Sequence, residues 1–278
     1  KFNEFCKTSV LKYTEDWRSY ITRQARWVDF DNDYKTLDQN YTESVIWAFQ
    51  QLYNKGLIYE GFKVLAYCWR CETPLSNHEL KMDEEVYRDR QDQSVTVTFE
   101  ITSQGELAGV KMLAWTTTPW TLPTNFALAV GPKIEYALVH AKNSDLGDEK
   151  FLIASALLPN YVKELGFEDA ESAAAAVSKT YLGSELAGLR YEPIFDFYTD
   201  ANKFSIENAW QVLVGDYVTA EDGTGIVHQA PAYGEDDQIL CNAAGIPTYV
   251  SVNERGEFIS LIAPYEGQHV FNDNNPLT

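Results

Sequence analysis

Three consecutive threonines, Thr116, Thr117 and Thr118, lie between Trp115 and Trp120, with Pro119 just before the second tryptophan. Three adjacent hydroxyls cannot all enter one apolar core, because a strand sends alternate side chains to opposite faces. A buried hydroxyl without a partner costs on the order of a few kcal/mol. At least one of the three therefore faces a polar cavity, where it can orient a substrate or a water. Strand alternation makes Thr116 and Thr118 the pair expected to face a ligand and Thr117 the structural one. The second informative stretch runs from Glu221 to Asp237. Gly223 and Gly225 permit a tight turn or a close backbone approach. Ile226 and Val227 read as a short strand that ends on His228. Pro231 stops pairing, Gly234 turns the chain, and Glu235, Asp236 and Asp237 follow. A histidine at a strand end and a carboxylate shortly after it can line one pocket. Taken alone, the stretch also reads as a surface turn with a solvated acid run.

Cys68-x-x-Cys71 has the spacing of half a zinc knuckle. A structural zinc site needs four ligands, and Cys6, Cys241 and His78 lack knuckle spacing. The expectation is no zinc here, or a poorly held one.

The elements that must position these residues are legible in the periodicity. Residues 1–60 read as helical, with Val10, Tyr13, Trp17 and Ile21 on one face. Val45, Phe49, Leu52 and Tyr53 repeat the pattern, and Gly56 suits the position just past a helix end. Trp27–Tyr34 reads as an acidic, aromatic loop and Lys63–Tyr67 as a short strand. After about residue 80 the period changes. Val95, Val97, Phe99 and Ile101 alternate with polar residues, as a half-buried strand does. Further strands are expected at Val110–Trp115, Phe126–Val130, Tyr136–Ala141, Phe151–Ala154, Val212–Val214 and Gly225–His228. Short helices are expected at Pro159–Gly166 and Asp169–Ser178. The division is a helical lead-in with the half knuckle, 1–80, and a second domain, 81–278. Many short strands with few long helices give an α+β class, with a barrel or strongly bent sheet and short peripheral helices.

Composition bounds the possibilities. Of 278 residues, 45% are hydrophobic and 14% aromatic, ample for a core. No apolar run is long enough for a membrane span. The start, Lys1-Phe2-Asn3-Glu4, resembles neither a signal nor a transit peptide, and its lack of Met points to a piece of a larger protein. The 4 cysteines do not make a disulfide framework, which points to the cytoplasm. A net charge of −19 argues against broad, non-specific nucleic-acid binding. A nucleic-acid end entering a local site stays compatible with it. Only the first thirty residues are richer in Lys and Arg than in acids.

Taken together, Trp115–Asn125 and Glu221–Asp237 closely resemble the two signature stretches of the editing domain of isoleucyl-tRNA synthetases. The first is the Trp-Thr-Thr-Thr-Pro-Trp-Thr-Leu-Pro run followed by Asn125. The second is Gly-Thr-Gly-Ile-Val-His…Ala-Pro-Ala-Tyr-Gly-Glu-Asp-Asp. Leucyl and valyl relatives usually carry Thr-Thr-Arg-Pro, so Thr118 and Trp120 point to the isoleucyl member. Trp27–Tyr34, the Leu52–Gly61 helix end, the Cys68 stretch and Gly183–Phe195 are similar as well. The synthetic site is not found: there is no His-x-Gly-His, and Lys81-Met82-Asp83 is not the Lys-Met-Ser-Lys-Ser loop.

The resemblance implies hydrolysis of mischarged valyl-tRNA(Ile), and of valyl-adenylate, by a positioned water without an acyl-enzyme. Asp237 would hold the α-ammonium group and His228 would form the wall that separates valine from isoleucine. Thr116, Thr117 and Thr118 would orient substrate and water. Trp120, Asn125, Gly225 and Asp236 would contribute to substrate binding. No metal enters that step. The whole family enzyme holds zinc, with its second Cys-x-x-Cys downstream of residue 278, so Cys68 and Cys71 would be a half-site. The implied partners are the tRNA acceptor end and the rest of the synthetase, with the piece itself a monomer. Two alternatives stay open: a non-hydrolytic acceptor-end binding module, and a valyl or leucyl type of editing domain.

Overall fold

A computed structural model describes residues 1–81, 87, 89, 91–141, 149–263 and 265–271. Met82 and Asp83 of the Lys81 stretch lie outside the described residues. The chain divides into two compact units, Lys1–Gly61 and Phe62–Thr278. Residues 62–80 thus group with the strands that follow them.

The first unit holds α1 (Phe2–Val10), α2 (Thr14–Arg23) and α3 (Gln39–Asn54). The helical face expected from Val10 to Ile21 is divided, because the chain turns between α1 and α2. Gly56 ends α3 as its sequence position requires. Its φ is +68°, the left-handed region that glycine enters without a Cβ penalty. Its N–H donates to Tyr53 O at 2.9 Å and that of Leu57 donates to Leu52 O at 3.1 Å. This pair of bonds closes the orphan carbonyls of the last turn. None of the three helices has a buried residue.

The second unit runs β1 (Tyr67–Cys68), β2 (Thr73–Pro74), β3 (Val95–Glu100), β4 (Lys111–Thr116), β5 (Ala127–Val130), β6 (Glu135–His140) and β7 (Lys150–Ala154). There follow α4 (Ala170–Ala175), β8 (Val177–Leu182), α5 (Gly183–Leu186), β9 (Gln211–Val214), β10 (Ile226–Gln229) and α6 (Glu235–Ala243). Among the described residues the strands form a β1-β2 ribbon, a three-stranded sheet β10-β5-β9 and a five-stranded sheet β3-β4-β7-β6-β8. The α+β class stands, but these strands do not close into a barrel. The β4–β7 and β5–β9 pairs are parallel and the rest antiparallel.

Alternation builds the core. On the five-stranded sheet, Met112, Tyr136, Leu138 and Leu152 point one way and join Leu128, Val130, Val212 and Ile226 of the smaller sheet. Leu113, Ala137, Val139, Phe151 and Ile153 point the other way, against Leu158, Leu165 and Phe167. The strand β5, central in its sheet, is buried at all four residues. A third cluster, around Phe126, Tyr198, Ile246 and Phe258, closes the end of the unit that carries α6. Each fully buried aromatic or aliphatic side chain contributes about 1.5–3 kcal/mol.

Three expectations are corrected. The helix expected at Asp169–Ser178 is only Ala170–Ala175; Asp169 caps it, accepting from Ser172 N–H at 2.8 Å. The next residues form the edge strand β8, hidden from the alternation rule because only Tyr181 in it is buried. The helix expected at Pro159–Gly166 is instead a 3₁₀ helix at Ser155–Tyr161. Of Lys63–Tyr67 only Tyr67 enters a strand. Among the described residues no helix is long and apolar enough to cross a membrane.

Candidate active site

The strand β4 delivers Trp115 and Thr116 to the wall of a cavity of about 410 Å³ and ends there. Thr117 occupies a bend, and Thr118 is the N-cap of a 3₁₀ helix, Pro119–Thr124. Pro119 suits that first helical position, where an N–H has no intrahelical partner anyway. Opposite lie the Gly223–His228 stretch and the start of α6. Of the residues singled out from the sequence, Thr116, Thr117, Thr118, Trp120, Gly225, His228 and Asp237 line this cavity, and Asn125 and Asp236 do not. Asp236 is exposed on α6, while Asn125 is buried behind His228.

The threonines divide differently from expectation. Thr116 is buried, and its Oγ1 accepts from Thr118 N–H at 3.1 Å and lies 3.3 Å from Thr118 Oγ1. Its hydroxyl therefore helps to hold the turn. Thr117 is exposed to the cavity together with Thr118. Strand alternation assigned Thr117 to the far side, but the strand stops at Thr116 and the rule stops with it.

Asp237 sits in the first turn of α6. Its Oδ2 accepts from Ala230 N–H at 2.8 Å. Burial pushes its carboxyl up to about 6, against the Ala230 hydrogen bond and aided by the charge of Asp236. A Cβ on Gly234 would stand 2.7 Å from Asp237 Cγ, so the bare glycine leaves the carboxylate its place. Among the described residues, Asp237 and Asp222 are the charged residues of the lining, which contains no Lys or Arg. Such a cavity favours a small cation over an anion.

His228 lies one residue before the end of β10, opposite Leu128, and Phe126 N–H donates to Gln229 O at 3.0 Å. That register places Asn125 beside the imidazole. His228 Nδ1 is 3.1 Å from Asn125 Nδ2, and Nε2 is 2.7 Å from Thr121 Oγ1. Burial pushes its pKa down to about 4. It is thus neutral at pH 7 and lines the cavity without a charge.

Gly225 has φ +73°, and a Cβ there would meet Ala154 Cβ at 2.5 Å. Its carbonyl accepts from the Tyr136 hydroxyl at 2.7 Å, which fixes the turn before β10. Trp120 packs edge-on against Tyr233, with ring centroids 4.7 Å apart. Sequence reading missed Thr121, Tyr217 and Tyr233 in the lining. Thr121 and Tyr233 stand inside the two motifs, so position alone could have found them; Tyr217 had no such signal. Cys68 and Cys71 are apart from this cavity, at the turn of the β1–β2 ribbon. The Cys71 N–H donates to Cys68 Sγ at 3.3 Å and holds that thiol below its ordinary range. Two thiols are half of a tetrahedral set, and among the described residues no group of three or more His, Cys, Asp or Glu could hold a metal.

A fold of this class, with hydroxyls, a neutral histidine and a half-buried carboxylate around one cavity, now has a family. The model for tRNA synthetases class I (I, L, M and V) matches residues 1–232, and the chain belongs to that family. Within it, the similarity is to isoleucine–tRNA ligases. The chain is 56% identical to that of Leifsonia xyli subsp. xyli over 291 residues, covering 99% of this chain and 26% of the relative. It is 55% identical to that of Mycobacterium tuberculosis H37Rv, covering 98% and 25%. The chain spans about a quarter of the length of the curated relatives it matches. Among solved structures, the P. knowlesi cytosolic leucyl-tRNA synthetase editing domain is similar with a TM-score of 0.41 at 11% identity, over 67% of this chain and 92% of that one. The GlLeuRS-CP1 structure is similar with a TM-score of 0.39 at 16% identity, over 56% and 65%.

Proposed function

We propose that the second unit is the editing module of an isoleucine–tRNA ligase. It hydrolyses the ester of valine misattached to tRNA(Ile), and the mixed anhydride of valyl-adenylate. The observation that carries this reading is the convergence of Thr117, Thr118, His228 and Asp237 on one cavity whose lining, among the described residues, has no cationic side chain. A pocket shaped for isoleucine cannot exclude valine, one methylene smaller, by more than about 1–3 kcal/mol, and this amino-acid pair is the standard illustration of that limit. A second site that accepts the smaller product removes the error.

Each residue then has a role its chemistry allows. Asp237, ionised by contact with the substrate's α-ammonium group, anchors the amino acid through the oxygen not committed to Ala230. His228 bounds the side-chain end of the cavity and refuses isoleucine by shape. Thr117 and Thr118 orient the ester and the attacking water, and positioning of this kind supplies much of a barrier's reduction. Thr116 holds their turn. Trp120 and Tyr233 offer the aromatic surface on which the terminal adenosine stacks. Water attacks the carbonyl, the ribose oxygen leaves, and free valine and tRNA result. The tRNA acceptor end and the rest of the synthetase are the partners.

The test is valine release from mischarged tRNA(Ile). The wild-type chain is expected to exceed the spontaneous rate, and Asp237→Ala to return to it. Undiminished release by Asp237→Ala would refute the assignment of Asp237.

A further inference from the structure

A buried polar chain runs behind the cavity wall. The Tyr191 hydroxyl donates to Asn125 Oδ1 at 2.7 Å. Asn125 Nδ2 donates to Ala127 O at 3.0 Å and lies 3.1 Å from His228 Nδ1. His228 Nε2 lies 2.7 Å from Thr121 Oγ1, which donates to Thr118 O at 2.8 Å. The direction of every bond follows from the two ends. The Ala127 carbonyl can only accept, so the nitrogen of the Asn125 amide faces it and the oxygen faces Tyr191. The amide's remaining hydrogen points at His228 Nδ1, which must then be the bare nitrogen. The imidazole proton sits on Nε2 and is given to Thr121, whose own proton goes to Thr118 O. Both ring nitrogens are used up inside the protein, so the ring presents carbon to the cavity. Burial holds the phenol of Tyr191 protonated and able to donate.

We propose that Tyr191, which does not line the cavity, is a positioning residue of the editing pocket. Together with the Ala127 carbonyl it holds the Asn125 amide in place, and that amide keeps His228 in the Nε2–H tautomer and so makes the wall apolar. This rests on the editing reading for its consequence, but not for the tautomer itself. An apolar wall rejects the larger aliphatic side chain by shape, whereas a nitrogen turned to the cavity would recruit water and loosen that fit. Tyr191 packs edge-on against Phe99, with centroids 5.1 Å apart, and Tyr191→Phe keeps this contact while removing the hydroxyl.

The experiment is nitrogen NMR of the 278-residue chain labelled with ¹⁵N-histidine, with His228 assigned by its loss in His228→Gln. Wild type is expected to show the Nε2–H pattern. Tyr191→Phe is expected to mix the two tautomers and to raise isoleucyl-tRNA(Ile) hydrolysis relative to valyl-tRNA(Ile) about tenfold, the scale of one hydrogen bond. Asn125→Asp, which puts an acceptor at Nδ1, is expected to move the proton there. An unchanged Nε2–H pattern in Tyr191→Phe would overturn the proposal whatever happens to Tm, as would an unchanged pattern in Asn125→Asp. Absence of hydrolysis by the wild type would count against the editing reading alone, since the nitrogen shifts are read without substrate.

Discussion

At the scale of single residues, the position of Asp237 costs the fold stability. An ordinary aspartate titrates near 4 in an unfolded chain, and burial raises Asp237 to about 6. The folded state thus binds its proton more tightly than the unfolded state does. The associated stability is present below about pH 4 and is lost as pH rises to about 6. At pH 7 the carboxylate costs the fold about 1–3 kcal/mol. Asp237→Asn is expected to raise Tm at pH 7, to leave it nearly unchanged at pH 4, and to abolish valine release; thermal melts at the two pH values check this. KM for valyl-tRNA(Ile) is expected to fall as pH rises through 6, because the role proposed for Asp237 requires its carboxylate to be ionised. His228 runs the other way. Its folded pKa of about 4 lies below the ordinary histidine value, so its contribution to stability is lost as pH falls below about 6.5. His228→Ala is expected to open the wall and let the chain hydrolyse isoleucyl-tRNA(Ile), read as release of isoleucine.

At the scale of elements, the site depends on two turns. Gly225→Ala must hold a left-handed φ, worth about 1–2 kcal/mol, and also push its Cβ into Ala154. It is expected to lower stability by at least about 2 kcal/mol, visible in the urea midpoint. Gly234→Ala has an ordinary φ of −127° and instead displaces the Asp237 carboxylate. It is expected to raise KM at least tenfold with little change in that midpoint. These turns also mark what the sequence made legible. Seven of the strands were readable as short runs of β-branched, aromatic and aliphatic residues, alternating with polar ones in β3 and almost unbroken in β5, which is buried at all four residues. β8 was not, since an edge strand with one buried side chain leaves almost no alternation. The Thr116–Thr118 run announced a cavity through its chemistry, but the end of β4, which decides where Thr117 points, depends on Pro119 and tertiary pairing with β3. Asn125 read as a substrate contact, and only the register of β5 with β10 puts it behind His228.

At the scale of the whole molecule, the two units differ in how their parts are held. The helices of Lys1–Gly61 bury no residue, and short helices without tertiary packing are marginal in water. Amide exchange is expected to be fast across α1 to α3 and slow in β5, β6 and β7, with exchange mass spectrometry as the readout. The net charge of −19 and a cavity lining without Lys or Arg among the described residues leave few phosphates to be neutralised. Capture of the tRNA end is therefore expected to depend only shallowly on salt, with a slope near −1 to −2 for log K against log [salt]. The claim that unites the scales is that this cavity hydrolyses valyl-tRNA(Ile) and spares isoleucyl-tRNA(Ile). Side-by-side deacylation of the two esters by the chain tests it most directly. Valine release is expected well above the spontaneous rate, and isoleucine release at that rate. Equal rates for the two esters, or no release above background from either, would contradict it.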